Sequence, residues 1–162
     1  MVCEGGAVLD AFSRELNELL SDAFWSVLKI EEQTAKMAAQ GDLSISELHM
    51  LEAVAKDEMQ GRSISALAAD LKITLSSVTI AVNKLVKKGY VEKTRSEQDG
   101  RQVFVKLTKM GHKVNAGHLY FHENMVRNVS EGMSEEEKGV LVKAMKHLNQ
   151  FFKRKLETGN EG

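Results

Sequence analysis

Seven polar side chains fall close together in one stretch of the sequence: Thr74, Ser76, Ser77, Thr79, Asn83, Lys84 and Lys87. At helical spacing they share an outward face, while Val78, Val82, Leu85 and Val86 are expected to turn inward. Small hydroxyls let a backbone come close to nucleic acid, and they bond base edges or phosphates. Asn83 and Lys84 add an amide and an ammonium suited to the same partners. Downstream, two short alternating segments joined by Ser96-Glu97-Gln98-Asp99-Gly100-Arg101 make a hairpin that carries Lys93, Arg95, Arg101 and Lys106. Such a hairpin beside a helix can follow a duplex into its minor groove, where an arginine meets enhanced negative potential. The charge distribution agrees. Residues 72–109 carry nine Lys/Arg against three Asp/Glu, a net of +6, and residues 1–60 carry four against twelve, a net of −8. A basic block inside a chain of net charge −1 is the electrostatic footprint of a DNA-reading module.

Other chemistry is poorly supported. His49, His112, His118, His122 and His147 could supply a base, but no serine or cysteine partner is indicated, and no phosphate loop or paired carboxylates stand out. No enzyme activity and no cofactor are expected. His118 and His122 are one helical turn apart, a spacing that lets two imidazoles share an ion, and His49 could come close as a third ligand. A fourth ligand is not identifiable, so helix packing is the expected role and no bound metal is expected. Cys3 is the only cysteine, which excludes an intrachain disulfide, and Glu4 beside it disfavours a reactive thiol.

These groups need elements to hold them. A chain of 162 residues, 43% hydrophobic and 28% charged, suits one integrated domain with helical extensions. No apolar run is long enough for a membrane helix and the N-terminus lacks a secretory pattern, so cytoplasmic residence without a membrane partner is expected. Leu9, Phe12, Leu16, Leu19, Ala23, Val27 and Ile30 form an apolar stripe on a first helix from about Asp10 to Gln40. Ser44-Ile45-Ser46-Glu47 is a capping box opening a second helix. Ser63 or Ser65 caps a third, Lys72-Ile73 breaks it, and Thr74 caps the fourth, which Gly89 ends. Strands follow at Val91–Arg95 and Gln102–Leu107. Thr108 opens a fifth helix, and Ser134-Glu135-Glu136-Glu137 opens a sixth with a stripe through Leu141, Ala144, Met145, Leu148 and Phe152. The expected fold is mainly α with a small β-wing: a winged helix-turn-helix over 44–109, flanked by a dimerisation helix over 8–43 and dimerisation helices over 110–157. Apolar residues are in surplus where the first, second and fifth helices should meet. Phe24, Trp25, Leu28, Leu48, Leu51, Phe121 and Met125 are candidates there for a pocket wall, with a solid core as the alternative.

Residues 44–110 resemble the MarR family of bacterial regulators. The match rests on Gly89-Tyr90-Val91-Glu92, Asp99-Gly100-Arg101 and Leu107-Thr108-Lys109-Met110-Gly111. The resemblance implies a homodimer that binds a pseudo-palindromic duplex, with Arg101 reaching the minor groove and Asp99 steering it. Arg95-Ser96-Glu97-Gln98-Asp99, Phe121-His122 with Met125-Val126, and Gly132-Met133-Ser134-Glu135-Glu136-Glu137 resemble a narrower branch. That branch represses fatty-acid-synthesis genes in low-GC Gram-positive bacteria and responds to long-chain acyl groups on acyl carrier protein. Gly100 stands where the branch often has Arg. Acyl-acyl carrier protein is therefore the implied effector partner. A regulator responding to zinc or to another small hydrophobic ligand is the alternative.

Overall fold

The structure, a computed structural model, describes residues 10–38, 43–95 and 102–158. Its elements are α1 (Ala11–Ala38), α2 (Ile45–Ala55), β1 (Arg62–Ser63), α3 (Ile64–Leu71), α4 (Leu75–Lys87), β2 (Val91–Arg95), β3 (Val103–Leu107), α5 (Lys109–Ser130) and α6 (Glu135–Thr158). The chain divides into two compact units, residues 1–120 and 121–162, with the boundary inside α5.

The helix starts follow the capping chemistry. Asp10 accepts from the Ser13 N–H at the head of α1. Ser44 and Glu47 form the reciprocal box at α2. Ser63, rather than Ser65, caps α3 by accepting from the Ala66 N–H, and Thr74 caps α4 by accepting from the Ser77 N–H. Ser134 and Glu137 repeat the box at α6. Lys72 adopts the left-handed conformation (φ 54°) at the end of α3. The chain then turns by 111° into α4, the crossing that defines a helix-turn-helix.

The core of the first unit lies between α2, α3, α4 and the sheet. Leu48, Met50, Leu51, Val54, Leu67, Val78, Val82, Leu85 and Val105 are all buried within it. Val86, expected to face inward, is 38% exposed. The buried face of α4 is the narrow set Val78, Val82 and Leu85, and residue 86 is rotated about 100° from residue 85 at 3.6 residues per turn.

The sheet has the order β1-β3-β2, all antiparallel, with Val91 opposite Leu107 and Arg95 opposite Val103. Strand β1 adds to the two strands expected from the sequence. Its two residues pair with Val105 and Phe104, a contact too short to leave an alternating pattern in the sequence. Two glycines are required by close approach. A Cβ on Gly61, already at φ +80°, would press on the Lys106 side chain and the Val105 carbonyl, and one on Gly111 would clash with the Tyr90 carbonyl.

Along α1, Glu31 and Ala35 are buried, whereas Phe12, Leu16, Leu19, Phe24, Trp25 and Leu28 are exposed. In the second unit, α6 exposes Val140, Val142, Met145, Phe151, Phe152 and Leu156. Among the described residues no single helix is long and apolar enough to cross a membrane.

Candidate nucleic-acid interface

The outward face of α4 is polar and exposed. Thr74, Ser76, Ser77, Thr79, Ile80, Asn83, Lys84 and Lys87 are all exposed, while Val78, Val82 and Leu85 anchor the opposite face. At its N-terminus the Thr74 hydroxyl lies 2.9 Å from that of Ser76 and 2.8 Å from that of Ser77. These three hydroxyls form one cluster beside the free N–H groups of the helix start, a setting that favours anionic oxygen. Thr79 donates to the Leu75 carbonyl at 2.8 Å, so its hydroxyl is held against its own helix. Lys84 and Lys87 stand in the last turns, where lysine suits the negative helix end.

The hairpin extends this face. Lys93 on β2 donates to the Asn83 side-chain oxygen and so ties the wing to the helix. Arg95 is exposed at the end of β2. Lys106, counted among the basic hairpin residues, donates instead to the Met59 carbonyl at 2.6 Å and closes the loop before β1. Asp99 and Arg101 lie outside the described residues.

Three features of the site were not visible in the sequence. A cleft beside α4 is lined by Ser44, Ser46, Glu47, Ser77, Ile80, Lys84 and Lys88, so the start of α2 adds two hydroxyls to the same face. Lys88 at the end of α4 reaches both Glu47 carboxylate oxygens, at 2.9 and 3.0 Å, and locks the start of α2 to the end of α4. The capping box marks Glu47, but nothing local marks a partner 41 positions away. Arg62 donates to the Ala53 and Ala66 carbonyls and to Asp70, which Lys56 also engages at 2.9 Å, and this network braces α2 against α3.

Burial raises the Glu47 pKa, but the Ser44 N–H and hydroxyl together with the Lys88 ammonium more than reverse that, leaving it below the ordinary value of 4.5. A carboxylate lowered by folding contributes stability above its unfolded pKa and loses it as pH falls through the lowered folded value. Glu47→Gln is therefore expected to cost about 1–2 kcal/mol near pH 7. The difference from the native chain should shrink near pH 3, as measured by urea denaturation at the two pH values. A loss that does not change with pH would show that the Glu47 charge contributes nothing.

The apolar candidates separate. Leu48 and Leu51 are sealed in the winged-helix core, Phe24, Trp25 and Leu28 stand exposed on α1, and Phe121 and Met125 are half-buried in the second unit. The histidines separate as well. His122 packs edge-on against Phe121. His118, 1% exposed, and His49 both face Glu31.

Comparison with known proteins places this geometry. Residues 34–116 match the family model for the transcriptional regulator SarA/Rot. FabT of Streptococcus pneumoniae, solved in complex with DNA, is 38% identical with a TM-score of 0.78, over 87% of this chain and 97% of that one. AbsC, a MarR family transcriptional regulator from Streptomyces coelicolor, shares the fold at 17% identity and a TM-score of 0.69, over 91% of this chain and 99% of that one. YhjH of Bacillus subtilis, an uncharacterised HTH-type transcriptional regulator, is 25% identical over 85 residues, 52% of this chain. The chain spans about half the length of that relative (47%).

Proposed function

Because the chain belongs to the MarR family of DNA-binding winged helix-turn-helix transcriptional regulators, we propose that it acts as a homodimeric repressor on a pseudo-palindromic operator. The observation that carries this reading is the exposed face of α4, where hydroxyls, an amide and two lysines stand on a helix fixed by its opposite side. Two such helices related by a two-fold axis would enter successive major grooves about 34–36 Å apart. The wing would follow each half-site, with Arg95 on the backbone and Arg101 in the minor groove, steered by Asp99. A second copy is the natural cover for the exposed apolar residues of α1 and α6, since each buried Leu or Phe contributes about 1.5–3 kcal/mol.

The finer reading is control of fatty-acid-synthesis genes, with long-chain acyl-acyl carrier protein as corepressor. Its support is the resemblance of the wing and of the α5–α6 segment to that branch, together with 38% identity to FabT. Phe24, Trp25 and Leu28 on α1 are apolar side chains not sealed in the winged-helix core and suited to an acyl chain. Arg62 is committed to Asp70 and two carbonyls, so of the basic residues beside the helix-turn-helix the exposed Lys72 is the better dock for an acidic carrier. A ligand changes DNA affinity only through differential binding to the DNA-competent form.

Operator affinity, measured by fluorescence anisotropy with carrier protein bearing no, short and long acyl groups, tests this. Affinity should rise with chain length, because each buried CH₂ contributes about 0.8 kcal/mol. Equal affinity in all three arms would remove the effector and leave DNA binding standing.

A further inference from the structure

One side chain breaks the polar face of α4. Ile80 is 57% exposed, although the helix seals Val78, Val82 and Leu85 on its other side. Ser76 and Ser77 lie one helical turn before it, and Asn83 and Lys84 one turn after. Ile80 therefore stands at the centre of the face, with polar groups at both ends. It also lines the cleft that α4 shares with the start of α2, together with Ser77 and Lys84. Leu75 and Val86, the other exposed apolar residues of the helix, are rotated from it by about 140° and 120° at 3.6 residues per turn. Ile80 is thus a single apolar group among polar ones and not part of an apolar patch on this helix.

Its polar neighbours are partly committed within the chain. Thr79 donates its hydroxyl hydrogen to the Leu75 carbonyl. Asn83 Oδ1 accepts from Lys93 Nζ. An ammonium only donates, so this bond fixes which end of the amide faces the wing and leaves the Asn83 N–H groups to give. An amide reads adenine by accepting from N6 while donating to N7, and here the oxygen that such a pair requires is already engaged. Selection at the middle of α4 then falls to the isoleucine. The apolar group that marks a base in the major groove is the C5 methyl of thymine, and an aliphatic side chain meets it without any hydrogen bond.

We propose that Ile80 is a specificity-determining residue that packs on the C5 methyl of one thymine in each half-site. The inference rests on the reading of α4 as the DNA-reading helix and adds what the centre of that helix selects. Removing the thymine methyl takes away one apolar carbon's burial, about fourfold in affinity for one half-site and about fifteenfold for both. A residue that only touches phosphate carries no such dependence on a base methyl. The contact stands independently of any acyl effector.

The test uses the full chain and the duplex it selects from a random pool. Thymines are replaced by deoxyuridine one position at a time, in both half-sites together, which removes the methyl and keeps every hydrogen-bonding group. Affinities are measured by anisotropy for the native chain and for Ile80→Ala. Ile80 is exposed, so circular dichroism should show the variant folded. At one thymine position the native chain should lose about fifteenfold. Ile80→Ala, already weaker on the thymine duplex, should lose less than about twofold at that position, because the two changes remove the same contact. The ratio of the two losses reads the contact directly. A ratio of at least about threefold at one position supports the assignment, and a ratio below that at every position overturns it while DNA binding stands. A chain that selects no duplex would overturn the reading of α4 itself, and this inference with it.

Discussion

Leu85→Ala is expected to destabilise the winged-helix unit by about 2–5 kcal/mol, the range for truncating a buried leucine and leaving a cavity. Leu85 is 0% exposed, and its helix bears the candidate DNA-reading face on the other side. Its backbone carbonyl also accepts from the Tyr90 N–H, so the side chain and the turn into β2 are anchored at one point. Urea denaturation followed by circular dichroism checks the size of the effect. DNA affinity should fall with it, because the polar face of α4 is positioned from behind. A loss below about 1 kcal/mol would mean that the core described here is not what holds α4 in place.

The second large effect concerns charge. A chain carrying both Lys84→Ala and Lys87→Ala should bind duplex DNA with a shallower salt dependence. Each phosphate contact removed lowers the slope of log K against log salt by about 0.9, so two lysines in each of two protomers account for up to about 3.6. At physiological salt the affinity should fall roughly 10–1,000-fold, with little change in sequence preference, because phosphate contacts position without specifying. Ser77→Ala and Asn83→Ala should do the reverse and alter preference with a smaller loss. Anisotropy titrations across a salt series separate the two outcomes. An unchanged slope in the double lysine variant would place the interface elsewhere on the molecule.

Much of this arrangement was legible in the sequence because it is local. Ser44, Ser63, Thr74 and Ser134 mark helix starts with their own side chains. The polar and apolar faces of α4 separate at helical period, and Gly89 takes φ +79° where the helix was expected to stop. What escaped was produced by tertiary contact. Strand β1 exists only because Arg62 and Ser63 meet β3. Lys88 seeks out Glu47 on another helix, and Lys106 turns to a backbone carbonyl rather than to solvent. The histidines illustrate the same limit. One-turn spacing pointed to His118 with His122, and His49 was named as a possible third; the groups that meet are Glu31, His49 and His118, and nothing local marked Glu31. Of the stripe expected on α1, Phe12, Leu16, Leu19 and Ile30 stand exposed.

The central claim, that this chain reads duplex DNA as a two-fold symmetric regulator through α4 and its wing, is tested most directly by selection from a pool of random duplexes with the purified full-length protein. The expected result is enrichment of an inverted repeat whose half-site centres lie about one helical turn, roughly 10–10.5 base pairs, apart. Pools that show no enriched sequence, or that converge on a single unrepeated half-site, would contradict it.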